Sequence, residues 1–287
     1  MINGFGKTLG TIQLGELGTL ESPILLTNTL SVGTAADTVV DYMLERNPEI
    51  GRTTRTVNTV VGECNDMVLN DIRAKSVKPE HVRQALENTS SEFKEGSVGA
   101  GTGMLCYSLK GDIGSASRKM ELDYGRYTLG VLVLSNFGIL GDLQIKGKAV
   151  GRELKAAIPE TYKEEDKGSI MIIVATDLPV SERQLNRIIK RSVTGLSRTG
   201  SIITNGSGEI IIGFSTAITI PHEKPKHYIT VPQIHEEDMD LAFRAVGEAT
   251  EEAVLNSLVT AEAVCGRDGN ERPAFKDVIQ RFGVSLM

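Results

Sequence analysis

The sequence is poor in the residues that build metal and redox centres. Cys64, Cys106 and Cys265 are an odd set with no Cys-x-x-Cys spacing. They read as small apolar fillers in a reducing compartment, not as a disulfide framework or a zinc knot. His81, His222, His227 and His235 show no His-Glu-x-x-His or paired-ligand spacing, and three of them fall in one polar stretch (residues 222–238) that reads as a surface loop; no metal site is expected. No apolar run is long enough to span a membrane. The N-terminus lacks the basic patch and apolar core of a secretory leader, which points to a cytoplasmic protein without a membrane partner. Clustered positive charge is missing too. The net charge is −6, and the densest basic stretch, residues 183–191, is interrupted by Leu, Ile and Asn as on the outer face of a helix, which argues against a nucleic-acid partner. There is no low-complexity segment, repeat or proline-rich linker. A chain of 287 residues, 40% hydrophobic and 24% charged, is ample for a buried core, and residues 1–287 are expected to form a single domain.

What is present is a mixture of strand and helix patterns. Residues 129–135 (LGVLVLS), 170–175 (IMIIVA) and 209–216 (EIIIGFST) are short aliphatic runs with little polar alternation, so both faces of these strands should be covered. Asn205-Gly206 is a turn signal entering the third. Residues 35–46 place Val39, Val40, Met43 and Leu44 on one side of a helix. Ser181 with Gln184 makes a capping box at the start of a helix over 183–196, and residues 240–259 form a long, alanine-rich helix. Sheets covered by helices in layers follow from this composition.

The segment that carries chemistry is residues 194–217 (TGLSRTGSIITNGSGEIIIGFSTA). A helix should end near Gly195, followed by an exposed polar connection over 197–201. Gly200 is free to adopt backbone angles closed to other residues. A glycine before a serine suits an intramolecular N-to-O acyl shift, because a Cβ there would crowd the hydroxyl's approach to the preceding carbonyl. Cleavage between Gly200 and Ser201 would leave Ser201 with a free α-amine, whose pKa is ~8 in small peptides. One residue would then supply both nucleophile and base. Gly-Ser pairs are common in loops, and Gly96-Ser97 is a competing one in this chain, so the dipeptide alone does not decide the matter.

RTGS (198–201) followed by NGSG (205–208), EIIIGFSTA (209–217) and ATEEAVLNSLV (249–259) resembles the self-processing L-aminopeptidase/D-esterase family, which includes the β-aminopeptidases. SPILLTNTLSVGT (22–34), VVGECNDMVLND (60–71), GSVGAGTGMLCYSLKGDIGSASR (96–118), LGVLVLSNFG (129–138) and CGRDG (265–269) match in order and spacing. The resemblance implies an α+β fold, an αββα four-layer sandwich, cleaved into pieces 1–200 and 201–287. It implies a serine aminopeptidase or amidase that releases unblocked N-terminal residues from peptides, amides or esters, needs no cofactor, and assembles as a homo-oligomer, typically a tetramer of αβ units.

By position, the resemblance makes Ser201 the nucleophile and Asn136 the oxyanion donor; on its own, Asn136 reads as a turn residue closing a strand. Glu252 becomes the acidic partner, on a helix face shared with Ala242, Ala245, Val246, Ala249, Ala253 and Asn256, while Glu251 points elsewhere. Thr250 is a possible assistant. Glu63 would bind the substrate's amino group, although its position fits a helix-start or turn acid equally well.

Two features depart from the family pattern. Asn65 stands where the family usually has a tyrosine, and the N-terminal segment is shorter than the family norm, beginning almost at once with Gly4-Phe5-Gly6. An ornithine acetyltransferase-like acyl transferase is the alternative enzyme, disfavoured by Ser in place of its Thr nucleophile; a non-catalytic, truncated family member is the other alternative. The glycine-rich stretch 96–103 has no Walker ending and no Gly-x-Gly-x-x-Gly, so it reads as a tight loop beside the cleft.

Overall fold

The computed structural model of the chain describes residues 1–157 and 168–283. Its centre is a five-stranded sheet in the order Asn3–Gly4, Gly208–Ser215, Ser169–Thr176, Gly125–Asn136, Ile113–Leu122. Strands Ser169–Thr176 and Gly208–Ser215 run parallel and the other pairs antiparallel. A second, two-stranded parallel sheet pairs Ile24–Asn28 with Val60–Cys64.

Period-two alternation sorts the aliphatic strands onto two buried faces. Leu134, Met171, Ile210 and Ile212 point toward the small sheet and pack with its Val60 and Cys64. Val131, Val133, Ile170, Ile172, Val174 and Ile211 point the other way, onto the long helix Met239–Val259. That helix brings Ala242, Ala245, Ala249 and Ala253 to the sheet, all buried. On the far side of the small sheet, Leu25 and Val61 meet Ala35, Val39, Val82 and Leu86 from helices Val32–Arg46 and Pro79–Glu87. The result is the four-layer αββα sandwich, and it explains why the central strands lack polar alternation.

Parallel neighbours require a crossover. Between Ser169–Thr176 and Gly208–Ser215 the chain passes through two helices, Glu182–Ile189 and Ser192–Arg198, where the sequence pattern suggested one. The Ser181–Gln184 capping box forms in both directions. The break comes at Arg191, whose amide bonds Ile188 O, one residue short of the α-helical partner. The second helix is thereby re-aimed against the long helix, so closely that a Cβ on residue 195 would lie 2.4 Å from Gly247 O. Gly195 therefore lies inside this helix and does not end it.

One buried ion pair sits under the sheet's end. Lys110 and Asp112 have fully buried side chains 2.5 Å apart. Lys110 Nζ also donates to Gly101 O, and Ser97 donates to the second Asp112 oxygen. Cys64 and Cys106 are buried as fillers, whereas Cys265 is exposed at the surface. No described helix is long and apolar enough to cross a membrane.

Candidate active site

The Gly200–Ser201 link lies in the loop that returns from helix Ser192–Arg198 to strand Gly208–Ser215. The polar connection is not exposed as its composition suggested: Ser197 and Arg198 face solvent, but Thr199, Gly200 and Ser201 are buried. The helix end is the reason. Leu196 O accepts from Thr199 N at 3.1 Å and from Ser201 N at 3.2 Å, and Gln144 N donates to Thr199 O at 2.9 Å. Gly200 has φ +97, and a Cβ on it would lie 1.8 Å from Asp142 O, so no other residue fits this turn. Ser201 Oγ accepts from Ile203 N at 3.3 Å. Ile203 itself has φ +56, a strained conformation for a β-branched residue. Asn205-Gly206 then forms the predicted turn, with Ser207 N donating to Thr204 O.

The ends of three central strands stand in one row. Asn136 is opposite Ser169, and Ser169 is opposite Gly208. The Asn136 side chain, 5% exposed, accepts from Leu105 N at 2.9 Å and donates to Asn65 O at 3.0 Å. An amide NH₂ has two hydrogens, so the bond to Asn65 uses one of them. The structure thus joins Asn136 to Asn65 through a backbone carbonyl.

Glu63 is neither a turn acid nor a helix start. It lies inside strand Val60–Cys64 and is buried. Its carboxylate accepts from Lys7 N at 2.7 Å and from the Thr29 hydroxyl. Next along the chain, Asp66 accepts from Asn28 and Asn70. Burial pushes the Asp66 carboxyl above the usual range in spite of these donors. Burial also raises the Cys64 thiol, to about 12, which makes it inert as a nucleophile.

The long helix contributes less directly than its pattern suggested. Thr250 is fully buried against helix Ser192–Arg198 at Gly195, and its hydroxyl donates to Val246 O within its own helix. Glu252 lies outside the buried alanine stripe, half exposed, and bonds Arg118 at 2.6 Å. Glu251 is the less exposed acid, and it pairs with Arg198 beside the Gly200–Ser201 turn at 3.3 Å. Helical spacing favoured Glu252, and the order is reversed because the partners Arg118 and Arg198 lie on other elements. Tyr107 is the residue that sequence reasoning missed. Its hydroxyl lies 2.8 Å from Thr199 Oγ1, a contact between residues 92 positions apart that no local spacing signals.

Among the described residues no three His, Cys, Asp or Glu side chains gather as a metal ion would need. A cleft of about 1690 Å³ lies between the N-terminal segment, helix Glu182–Ile189 and strand Gly208–Ser215; it reaches neither Ser201, Asn136 nor Glu63.

The sequence pattern of peptidase family S58 matches residues 1–272. The chain belongs to this family. It is 38% identical over 280 residues to the β-peptidyl aminopeptidase BapA of Sphingosinicella microcystinivorans, covering 93% of this chain and 70% of that one. The crystal structure of a Pyrococcus horikoshii OT3 protein superposes with a TM-score of 0.91 at 48% identity, over 99% of this chain and 79% of that one. The L-aminopeptidase D-Ala-esterase/amidase of Ochrobactrum anthropi, described as a variant of the N-terminal nucleophile hydrolase fold, gives 0.88 at 33% identity, over 98% and 79%. This S58 chain therefore has that variant of the hydrolase fold, built as the αββα sandwich that the resemblance implied.

Proposed function

We propose that this S58 chain cuts its own Gly200–Ser201 bond and then works as a serine-type aminopeptidase with Ser201 as its N-terminal nucleophile. The buried turn that only glycine can occupy, with Ser201 at its exit, carries the proposal. In the mature enzyme the Ser201 hydroxyl attacks the carbonyl after the substrate's N-terminal residue, and the Ser201 amine takes its proton. The developing oxyanion receives the second N–H of Asn136. Water then clears the acyl-enzyme.

Glu63, with Asn65 beside it, is assigned to the substrate's free amino group, since a buried carboxylate among neutral donors is a ready counter-charge. Thr250 backs the helix that ends at the scissile turn. Glu252 would have to leave Arg118 to reach the new ammonium. The substrate is a peptide or amino-acid amide with an unblocked N-terminus; the Sphingosinicella relative's β-peptidyl activity makes β-amino acid amides the first compounds to try. Association of such units into a homo-oligomer belongs to the same proposal and is supported by exposed apolar side chains such as Ile12 and Leu17. The acyl-transfer alternative gains no support from these relatives.

Intact mass should show pieces of 200 and 87 residues, and the smaller should begin Ser-Ile-Ile-Thr. A fully active protein that is one unbroken chain would refute the proposal. Replacing the oxyanion donor is a separate check. Asn136→Ala should lower kcat by about 10²–10³-fold with a smaller effect on KM, the usual cost of one oxyanion donor; a normal kcat would remove Asn136 from the chemistry.

A further inference from the structure

Strands Leu105–Cys106 and Leu109–Lys110 form a hairpin, Leu105 opposite Lys110 and Cys106 opposite Leu109. Its two-residue loop is Tyr107-Ser108, at φ +51 and +62. Positive φ at both central positions is the type I′ turn, whose natural occupants are Asn and Gly. A bulky aromatic there breaks the local rule, and such breaks occur where function supplies the compensation.

The compensation is visible. Tyr107 is fully buried, its amide donates to Phe137 O, and its ring packs edge-on against Phe137. Its hydroxyl reaches Thr199, also fully buried. The direction of that bond follows from the one proton a threonine hydroxyl has to give. Thr199 Oγ1 lies 2.8 Å from Leu196 O, which only accepts, so Thr199 donates there and Tyr107 donates to Thr199. Leu196 O is the same carbonyl that holds Ser201 N. The other arm of the hairpin, Leu105 N, holds Asn136.

We propose that Tyr107 is a positioning residue for self-cleavage: acting through Thr199 and Leu196 O, it holds the Gly200–Ser201 link where the Ser201 hydroxyl can attack it. This rests on the self-cleavage proposed above. In that step the Ser201 oxygen forms a bond to the Gly200 carbonyl carbon. The carbon–nitrogen bond then breaks, and the hydroxyl proton ends on the nitrogen. Water hydrolyses the resulting ester, leaving a Gly200 carboxylate and restoring the Ser201 hydroxyl. Without the Tyr107 bond, the Thr199 hydroxyl keeps only its bond to Leu196 O, and the attack geometry is populated less often.

The test follows processing of freshly synthesised chain by intact mass over time. Tyr107→Phe should slow cleavage roughly five- to tenfold, as loss of one hydrogen bond implies, and Thr199→Val, which also removes the bond to Leu196 O, by at least as much. The double variant should be no slower than Thr199→Val alone, because that substitution already removes the bond that Tyr107→Phe removes. Thr199→Ser, which keeps the hydroxyl, should process at the wild-type rate, a rescue that a packing role would not produce. A wild-type rate in Tyr107→Phe, or slowing that multiplies in the double variant, would overturn the assignment. Where Tyr107→Phe fails to fold, 4-fluorophenylalanine at position 107, which fills the hydroxyl's space and donates nothing, gives the second test: slow cleavage supports the assignment and a wild-type rate overturns it. Wild-type chain that never cleaves at Gly200–Ser201 would instead sink the self-cleavage itself, and that shows in the control before any variant is read.

Discussion

Ser201→Ala is expected to remain a single chain and to lose amide hydrolysis by a factor on the order of 10⁶, the scale seen when a serine nucleophile is removed. Both losses follow from one missing oxygen. Alanine has no group to attack the Gly200 carbonyl, so no new N-terminus forms. Without that terminus neither nucleophile nor base exists. The fold should survive the change. The Ser201 oxygen makes a 3.3 Å bond from Ile203 N, and losing a bond of that kind removes about 1 kcal/mol. The turn itself is held by Leu196 O, Gln144 N and the Asp142 backbone, none of which the substitution touches. The check is intact mass, thermal unfolding and hydrolysis of alanine p-nitroanilide and β-amino acid amides on one preparation. A Ser201→Ala protein that still splits into two pieces, or that keeps a few per cent of the activity, would end the assignment of Ser201.

The aliphatic runs around Val131, Ile172 and Ile211 were legible as doubly covered strands, because local composition alone reports burial on both faces. The long helix was legible to within a residue of its start. Legibility failed where tertiary packing decided the outcome. The stretch from Ser197 to Ser201 looks like a surface loop, since nothing in its polar residues says that Asp142 and Gln144 will close over Thr199 and Gly200. Helical spacing favoured Glu252 over the chemically equal Glu251, but Arg118 and Arg198 on other elements decide where each carboxylate is held. The small sheet was implied by family resemblance and not by pattern, for VVGEC interrupts its apolar run with a buried Glu63 whose donors, Lys7 N and Thr29, come from elsewhere in the chain. Tyr107 was invisible as a site residue for the same reason: its partner arrives on the crossover helix.

Lys110→Met should destabilise the fold by about 3–5 kcal/mol at neutral pH, the usual result of leaving one member of a buried pair without its partner. The lysine is fully buried and bonds three oxygens, those of Gly101, Gly111 and Asp112. Burial holds its ammonium below the usual lysine range, in spite of the attraction of Asp112. Burial likewise pushes the Asp112 carboxyl up to about 6 while Lys110 pulls it down, so in the unfolded chain, at ~3.9, it holds its proton less tightly. Folding is therefore favoured by protonation of Asp112, and this contribution is lost as pH rises from about 4 to about 6. Without Lys110 the carboxyl rises further. The penalty of Lys110→Met should then be larger at pH 8, where an unpaired carboxylate is buried, than at pH 5, where the carboxyl is neutral. Adding Asp112→Asn should recover part of the loss at pH 8 and little at pH 5. Urea unfolding of these variants in a Ser201→Ala background keeps every sample a single chain. A penalty under about 1 kcal/mol, or one that grows on acidification, would mean that the pair does not carry this load. The consequence reaches the site as well. Lys110 ties the turn at Gly101 to the hairpin, Gly111 N bonds Met104 O, and Leu105 N then holds the Asn136 amide. A buried charge pair that is costly to desolvate is thus placed under the two groups, Asn136 and Thr199, on whose positions the proposed self-cleavage and catalysis depend.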